Sequence, residues 1–161
     1  MVSTLSVADP FYSQSYVPWE AEFIASDPFA YHPISHQTTG TVASGTQSLG
    51  KYNVTISGTA FAEPKFTVRF VGQAAGNTTV SGLVFEHIQV PTYLTVSGLI
   101  PYSSDVIVTY SGLYVTVSGV RRDFGGAFSR WEPGVNTFNI TVTSGNNPGF
   151  NWTLEYQPRY F

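Results

Sequence analysis

The chain has no cysteine, which excludes disulfide staples, thiol nucleophiles and cysteine-held metals and leaves its redox compartment unmarked. Charge is almost as scarce. Asp, Glu, Lys and Arg make up 11% of its 161 residues, where a soluble domain commonly carries about a quarter. Seven basic residues against ten acidic ones give a net charge of −3, which offers no footprint for a nucleic-acid partner. The basic cluster Arg121-Arg122 with Arg130 sits beside Asp123 and Glu132. No apolar run approaches the length of a membrane span, and no window carries a helical stripe. The stretch Met1 to Pro10 lacks the basic start and apolar core of a signal peptide. The expectation is a chain that stays in the cytoplasm or enters a particle assembled there.

Signatures of catalysis are missing as well. There is no Gly-x-Ser-x-Gly elbow, no His-Glu-x-x-His and no glycine-rich phosphate loop. Glu20 and Glu22 share the outward side of one strand, whereas glycoside hydrolysis needs two carboxylates converging in a cleft. His32 and His36 have the four-residue spacing of helical metal ligands. Pro33 argues against a helix there and no third ligand lies nearby, so they read as loop histidines. His87 reads as a strand-surface histidine. No metal, no cofactor and no enzymatic activity are expected. The Asn-x-Thr triplets at Asn53, Asn77, Asn139 and Asn151 would accept glycans only in an exported eukaryotic protein.

What the chain does have is neutral and β-prone. Near its end, Phe138, Ile140 and Val142 alternate with Thr137, Asn139 and Thr141, a period of two. Ser144-Gly-Asn-Asn-Pro-Gly149 is dense in turn formers, and beyond it Trp152, Leu154 and Tyr156 alternate with Asn151, Thr153 and Glu155. This spacing predicts a terminal β-hairpin whose apolar face needs a second sheet to cover it. Upstream, Tyr16 to Ala25, Tyr52 to Ser57, Phe66 to Phe70, Tyr93 to Val96, Val106 to Tyr110 and Leu113 to Val117 read as further short strands. Gly82 predicts a bulge or turn within Thr78 to Val90. Val-Ser-Gly recurs at Val80, Val96 and Val117 and is expected to mark strand ends. His32 to Gly50 reads as a long loop or irregular edge segment. Turn signals about every ten residues predict an all-β, two-sheet sandwich in one domain. Trp152 and Tyr156 are expected in its core, and Trp131 on an exposed platform.

Two segments resemble a known family. Val17 to Tyr31, with Asp27-Pro-Phe29 at the strand's end, is similar to a pattern in distal tail proteins of phages with long non-contractile tails. In that family such a strand closes a ring-forming N-terminal domain and leads into a galectin-like sandwich. Gly125 to Phe128, Trp131-Glu-Pro-Gly-Val-Asn136 and Leu154-Glu-Tyr-Gln-Pro-Arg-Tyr-Phe161 resemble the last strands of that sandwich. The likeness spans about residues 16 to 161. It implies a galectin-like, jelly-roll-type antiparallel sandwich over residues 31–161. Residues 1–30 would be a lead-in and first strand, similar to the end of the ring-forming belt domain.

The resemblance further implies a non-enzymatic structural component of a phage tail tip or baseplate, made in the host cytoplasm. Its implied partners are the tail tube, the hub and receptor-binding proteins, in a symmetric homo-oligomer. A carbohydrate-binding module that recognises a cell-surface glycan is the alternative, with an aromatic platform to stack on sugar rings. Partner contacts are expected along His32 to Gly50 and Arg121 to Trp131, with His32, His36, Arg121, Arg122, Arg130 and Trp131 as the named residues.

Overall fold

Alternation alone dictates much of what forms. A residue series with apolar side chains at every second position can bury one pleated face and leave the other wet. The computed structural model describes residues 2–6, 20–24, 29–43, 51–71, 79–102, 104–143 and 148–161. Every regular element among them is a strand. β1 (Val2–Ser6) and β2 (Glu20–Ile24) form an antiparallel pair of their own. The side chains of Glu20 and Glu22 lie outside the described residues. β3 (Ala30–Tyr31), β4 (His36–Val42), β5 (Tyr52–Ile56), β6 (Lys65–Val71), β7 (Thr79–His87) and β8 (Thr92–Pro101) follow. The chain continues through β9 (Asp105–Thr109), β10 (Tyr114–Val117), β11 (Val120–Arg122) and β12 (Phe124–Gly126). It ends in β13 (Gly134–Val142), β14 (Gly149–Tyr156) and β15 (Arg159–Tyr160).

Two antiparallel sheets stack into the galectin-like sandwich. One has the order β11-β10-β9-β6-β14-β4 and the other β12-β8-β7-β13-β5. Phe66, Val68, Phe70, Val106, Val108, Phe150, Trp152 and Leu154 point inward from the first. Val54, Ile56, Leu83, Phe85, Leu94, Val96, Phe138 and Ile140 meet them from the second. Phe138 bridges the layers, with ring centroids 5.1 Å from Phe66 and 5.0 Å from Trp152. Trp152 and Tyr156 are buried, as their place on the apolar face of the strand requires. The outer face of the six-stranded sheet is neutral or paired until it reaches Arg121 on β11. Thr39, Thr153, Thr67, Ile107 and Thr116 form one cross-strand row, with the pairs Lys65–Glu155 and Arg69–Asp105 on either side.

Three expectations are corrected. The terminal pair is not a hairpin: β13 lies between β7 and β5, while β14 lies between β6 and β4 in the facing sheet. β13 ends at Val142 in one sheet and β14 begins at Gly149 in the other; residues 144–147 lie outside the described residues. Alternation shows which face of a strand is buried and says nothing about which strand pairs with it. Second, β4 is a regular edge strand, paired with β14 from His36 to Val42 without interruption, rather than a loop or irregular segment. Residues 44–50 lie outside the described residues. Third, of the Val-Ser-Gly repeats only the one at Val117 ends a strand. The other two face each other across β7 and β8, where the register slips between Val80 and Gly82. Gly98 supplies φ 93° there, so the motif marks the bulge anticipated at Gly82.

Candidate functional site

The strand register gathers 29–35, 57–64, 88–91, 110–113, 127–133 and 157–161 at one end of the sandwich. Backbone bonds stitch these segments together. Thr59 N and Ala60 N both donate to the Arg159 carbonyl at 3.0 and 3.1 Å, His32 N donates to the Pro158 carbonyl at 2.9 Å, and Ala62 N donates to the Trp131 carbonyl at 2.8 Å. Asn136 closes the Pro-Gly-x-Asn turn, its Nδ2 donating to the carbonyls of Glu132 and Gly134 at 2.8 and 3.1 Å.

Trp131 plugs this end from within. It is 1% exposed and lies 5.3 Å from the Phe66 ring and 5.8 Å from Phe138. Its indole stacks on the His87 imidazole with centroids 4.7 Å apart and planes 4° from parallel. The exposed platform expected at Trp131 is therefore corrected, and with it the residue's role as a direct partner contact. The open end of a two-sheet sandwich must be filled, and the largest side chain of the turn segment fills it. His87 is corrected too. It follows Leu83 and Phe85 on the inward face of β7 and is buried. Burial lowers its pKa, with the neighbouring Asn136 side chain acting in the opposite direction.

Of the remaining named residues, His36, Arg121, Arg122 and Arg130 are exposed and His32 is half-buried. His32 and His36 stand at the start of β4 with ring centroids 5.9 Å apart, and His36 packs on Tyr156 at 5.4 Å. Among the described residues no three of His, Cys, Asp or Glu are grouped to hold a metal ion, and no helix is long and apolar enough to cross a membrane. Arg121 and Arg122 lie on β11, the outer edge of the six-stranded sheet, and every residue from Ser118 to Ala127 is exposed. The Arg121 guanidinium sits 4.8 Å above the Tyr114 ring. Arg130 returns to the stitched end, over the Phe61 ring at 4.1 Å and 3.3 Å from the exposed Glu132.

Sequence reasoning missed what surrounds Arg130. Phe61, Glu63, Tyr110, Leu113 and Phe128 form with it a cleft of about 120 Å³. Phe128 meets Tyr110 and Phe124 edge-on, each at 5.1 Å, so a band of rings runs from the β12 edge into the cleft. Glu63 pairs with Arg159 at 2.6 Å, and Arg159 is only 12% exposed among the rings of Tyr31, Phe29 and Phe61. The one sequence signal for this cleft was Leu113, an apolar residue directly after Ser111-Gly112, where the turn imposes φ 50°.

No protein-family model and no curated protein matches the sequence. Among solved structures, the chain is similar to the Dit (gp 19.1) protein of phage SPP1, a paradigm of the hub adsorption apparatus in phages that infect Gram-positive bacteria. The TM-score is 0.62 at 15% identity, covering 99% of this chain and 58% of that one. The chain thus spans little more than half of Dit's length. By fold, over nearly all of its residues, this chain is similar to a phage hub adsorption protein.

Proposed function

We propose that the chain is a non-enzymatic structural component of a phage tail tip, a distal-tail-type adaptor that contacts the tail hub, the tail tube or receptor-binding proteins. The observation that carries this reading is the agreement of fold with Dit across 99% of the chain. It agrees with the likeness read from Asp27-Pro-Phe29 and Leu154 to Phe161, which rests on sequence alone. Residues 1–30 are proposed as the close of a belt-type domain and 31–161 as the adaptor sandwich. The contact set is His36, Arg121, Arg122 and Arg130, which are exposed, with the half-buried His32; Trp131 supports that surface from below. The sandwich works as a docking body in symmetric copies, and its place is the virion. Burial of Trp131 removes the aromatic platform on which a sugar-binding reading depended.

The test is co-expression with tail-hub and tail-tube proteins of the same phage. Co-elution as one assembly on size exclusion, weakened at least tenfold by joint Arg121→Glu, Arg122→Glu and Arg130→Glu substitution, is expected. Separate elution from all of them would overturn the proposal.

A further inference from the structure

The cleft at the stitched end has a built shape that neither the fold nor the tail reading requires. Its volume of about 120 Å³ approaches that of an apolar cavity of about 150 Å³ known to hold a benzene ring. One branched or aromatic side chain fits it; a chain of sugar rings does not. The walls are Phe61, Tyr110 and Phe128. At the mouth stands Leu113, 61% exposed and held at φ 50°. Left-handed backbone costs stability in any residue with a Cβ, and turns place glycine or asparagine there for that reason. The turn holds Leu113 in that conformation with its side chain largely exposed, so burial within the chain offsets little of the strain.

The charges at the rim are not equivalent. Glu63 is committed to Arg159 at 2.6 Å, in a pair whose arginine is nearly buried. Arg130 is held only by Glu132, with side chains 60% and 57% exposed, a pairing that water and salt weaken. Along the adjoining edge, Arg121 and Arg122 have no carboxylate within ion-pair distance among the described residues. The available charge beside the cleft is therefore positive, on a chain whose net charge is −3.

We propose that this cleft is a socket for one leucine- or phenylalanine-sized side chain of a partner polypeptide, whose neighbouring carboxylate pairs with Arg130. The anchor enters between Phe61 and Phe128, Leu113 closes over it, and the carboxylate displaces Glu132 from the guanidinium. That the partner is a protein rests on the tail-component reading.

The experiment is a nitrogen-15 NMR titration of the full chain with N-acetyl-Leu-Glu-amide, N-acetyl-Leu-Lys-amide, N-acetyl-Ser-Glu-amide and N-acetylglucosamine. Saturable shifts at the amides of Leu113, Phe128, Ser129 and Arg130 are expected with the Leu-Glu probe. They should be at least threefold weaker with Leu-Lys and absent with Ser-Glu. Arg130→Gln should remove the preference for Leu-Glu over Leu-Lys. Leu113→Gly should raise the unfolding midpoint by about 2–4 °C through relief of the left-handed backbone while weakening the shift response at least tenfold. No saturable shift, an equal response to Ser-Glu or to the sugar, or a Leu113→Gly variant that binds like the parent or melts lower would overturn the proposal. The titration reads the purified chain alone, so its failure leaves the tail reading standing, and failed co-elution with tail proteins leaves a positive titration standing.

Discussion

The His87 imidazole lies flat on the Trp131 indole, centroids 4.7 Å apart and planes 4° from parallel, at the buried end of the sandwich. A neutral imidazole suits that position and a charged one does not, because both rings are cut off from water. The pKa of His87 is accordingly lowered, chiefly by burial. Above the ordinary histidine value of about 6.5, folded and unfolded chains both hold it neutral and its contribution is flat. Below that value the unfolded chain binds the proton first, so stability falls with falling pH by up to about 1.4 kcal/mol per unit from this group. Urea unfolding of the parent and of His87→Phe between pH 7.5 and 5 isolates the effect. The variant is expected to lose that part of the slope; an unchanged slope would contradict it.

Trp131 and Arg130 are neighbours in sequence with opposite roles. Trp131→Ala removes the largest fully buried side chain among the described residues and should cost about 3–5 kcal/mol in chemical unfolding. Arg130→Ala removes an exposed cation from the Phe61 ring and from Glu132 and should cost less than about 1 kcal/mol.

Gly40 lets β4 pass over the face of Trp152. A Cβ built at Gly40 would stand 2.5 Å from the indole carbons, and Trp152 is too well buried to move aside. Gly40→Ala gains up to about 1 kcal/mol by restricting the unfolded chain. Overpacking costs about 1–3 kcal/mol and outweighs that gain. A net loss of stability by thermal unfolding is expected, with Thr39→Ala nearly neutral.

Arg159 and Lys65 separate a part-buried ion pair from an exposed one. Arg159→Lys loses the guanidinium hydrogen bond to Glu63 and its place among three aromatic rings, and should cost about 1.5–3 kcal/mol. Lys65→Gln breaks a pair with Glu155 whose side chains are 47% and 39% exposed, and should cost less than about 1 kcal/mol.

The all-β class and most strand positions were legible because period-two alternation is a local property, as Phe66-Thr-Val-Arg-Phe70 shows. Pairing was not. Phe138 and Trp152 sit on consecutive alternating strands, yet they meet edge to face across the core instead of side by side in one sheet. The candidate site was half legible. Arg121, Arg122 and Arg130 stood out as exposed charge in a chain that has little. Trp131 and His87 misled for one reason: whether a large ring caps a core or faces water depends on where the opposite layer ends, and no local pattern records that. Phe61, Glu63 and Phe128 meet Arg130 only through the fold, from segments far apart in the chain.

Cryo-electron microscopy of the intact phage particle tests the tail-tip role most directly. Symmetric copies of a two-layer sandwich at the distal end of the tail, fitting this chain with the β11 edge and the Arg130 cleft turned toward a neighbouring subunit, are the predicted result. Density for the chain in the capsid, or a virion without it, would contradict that role.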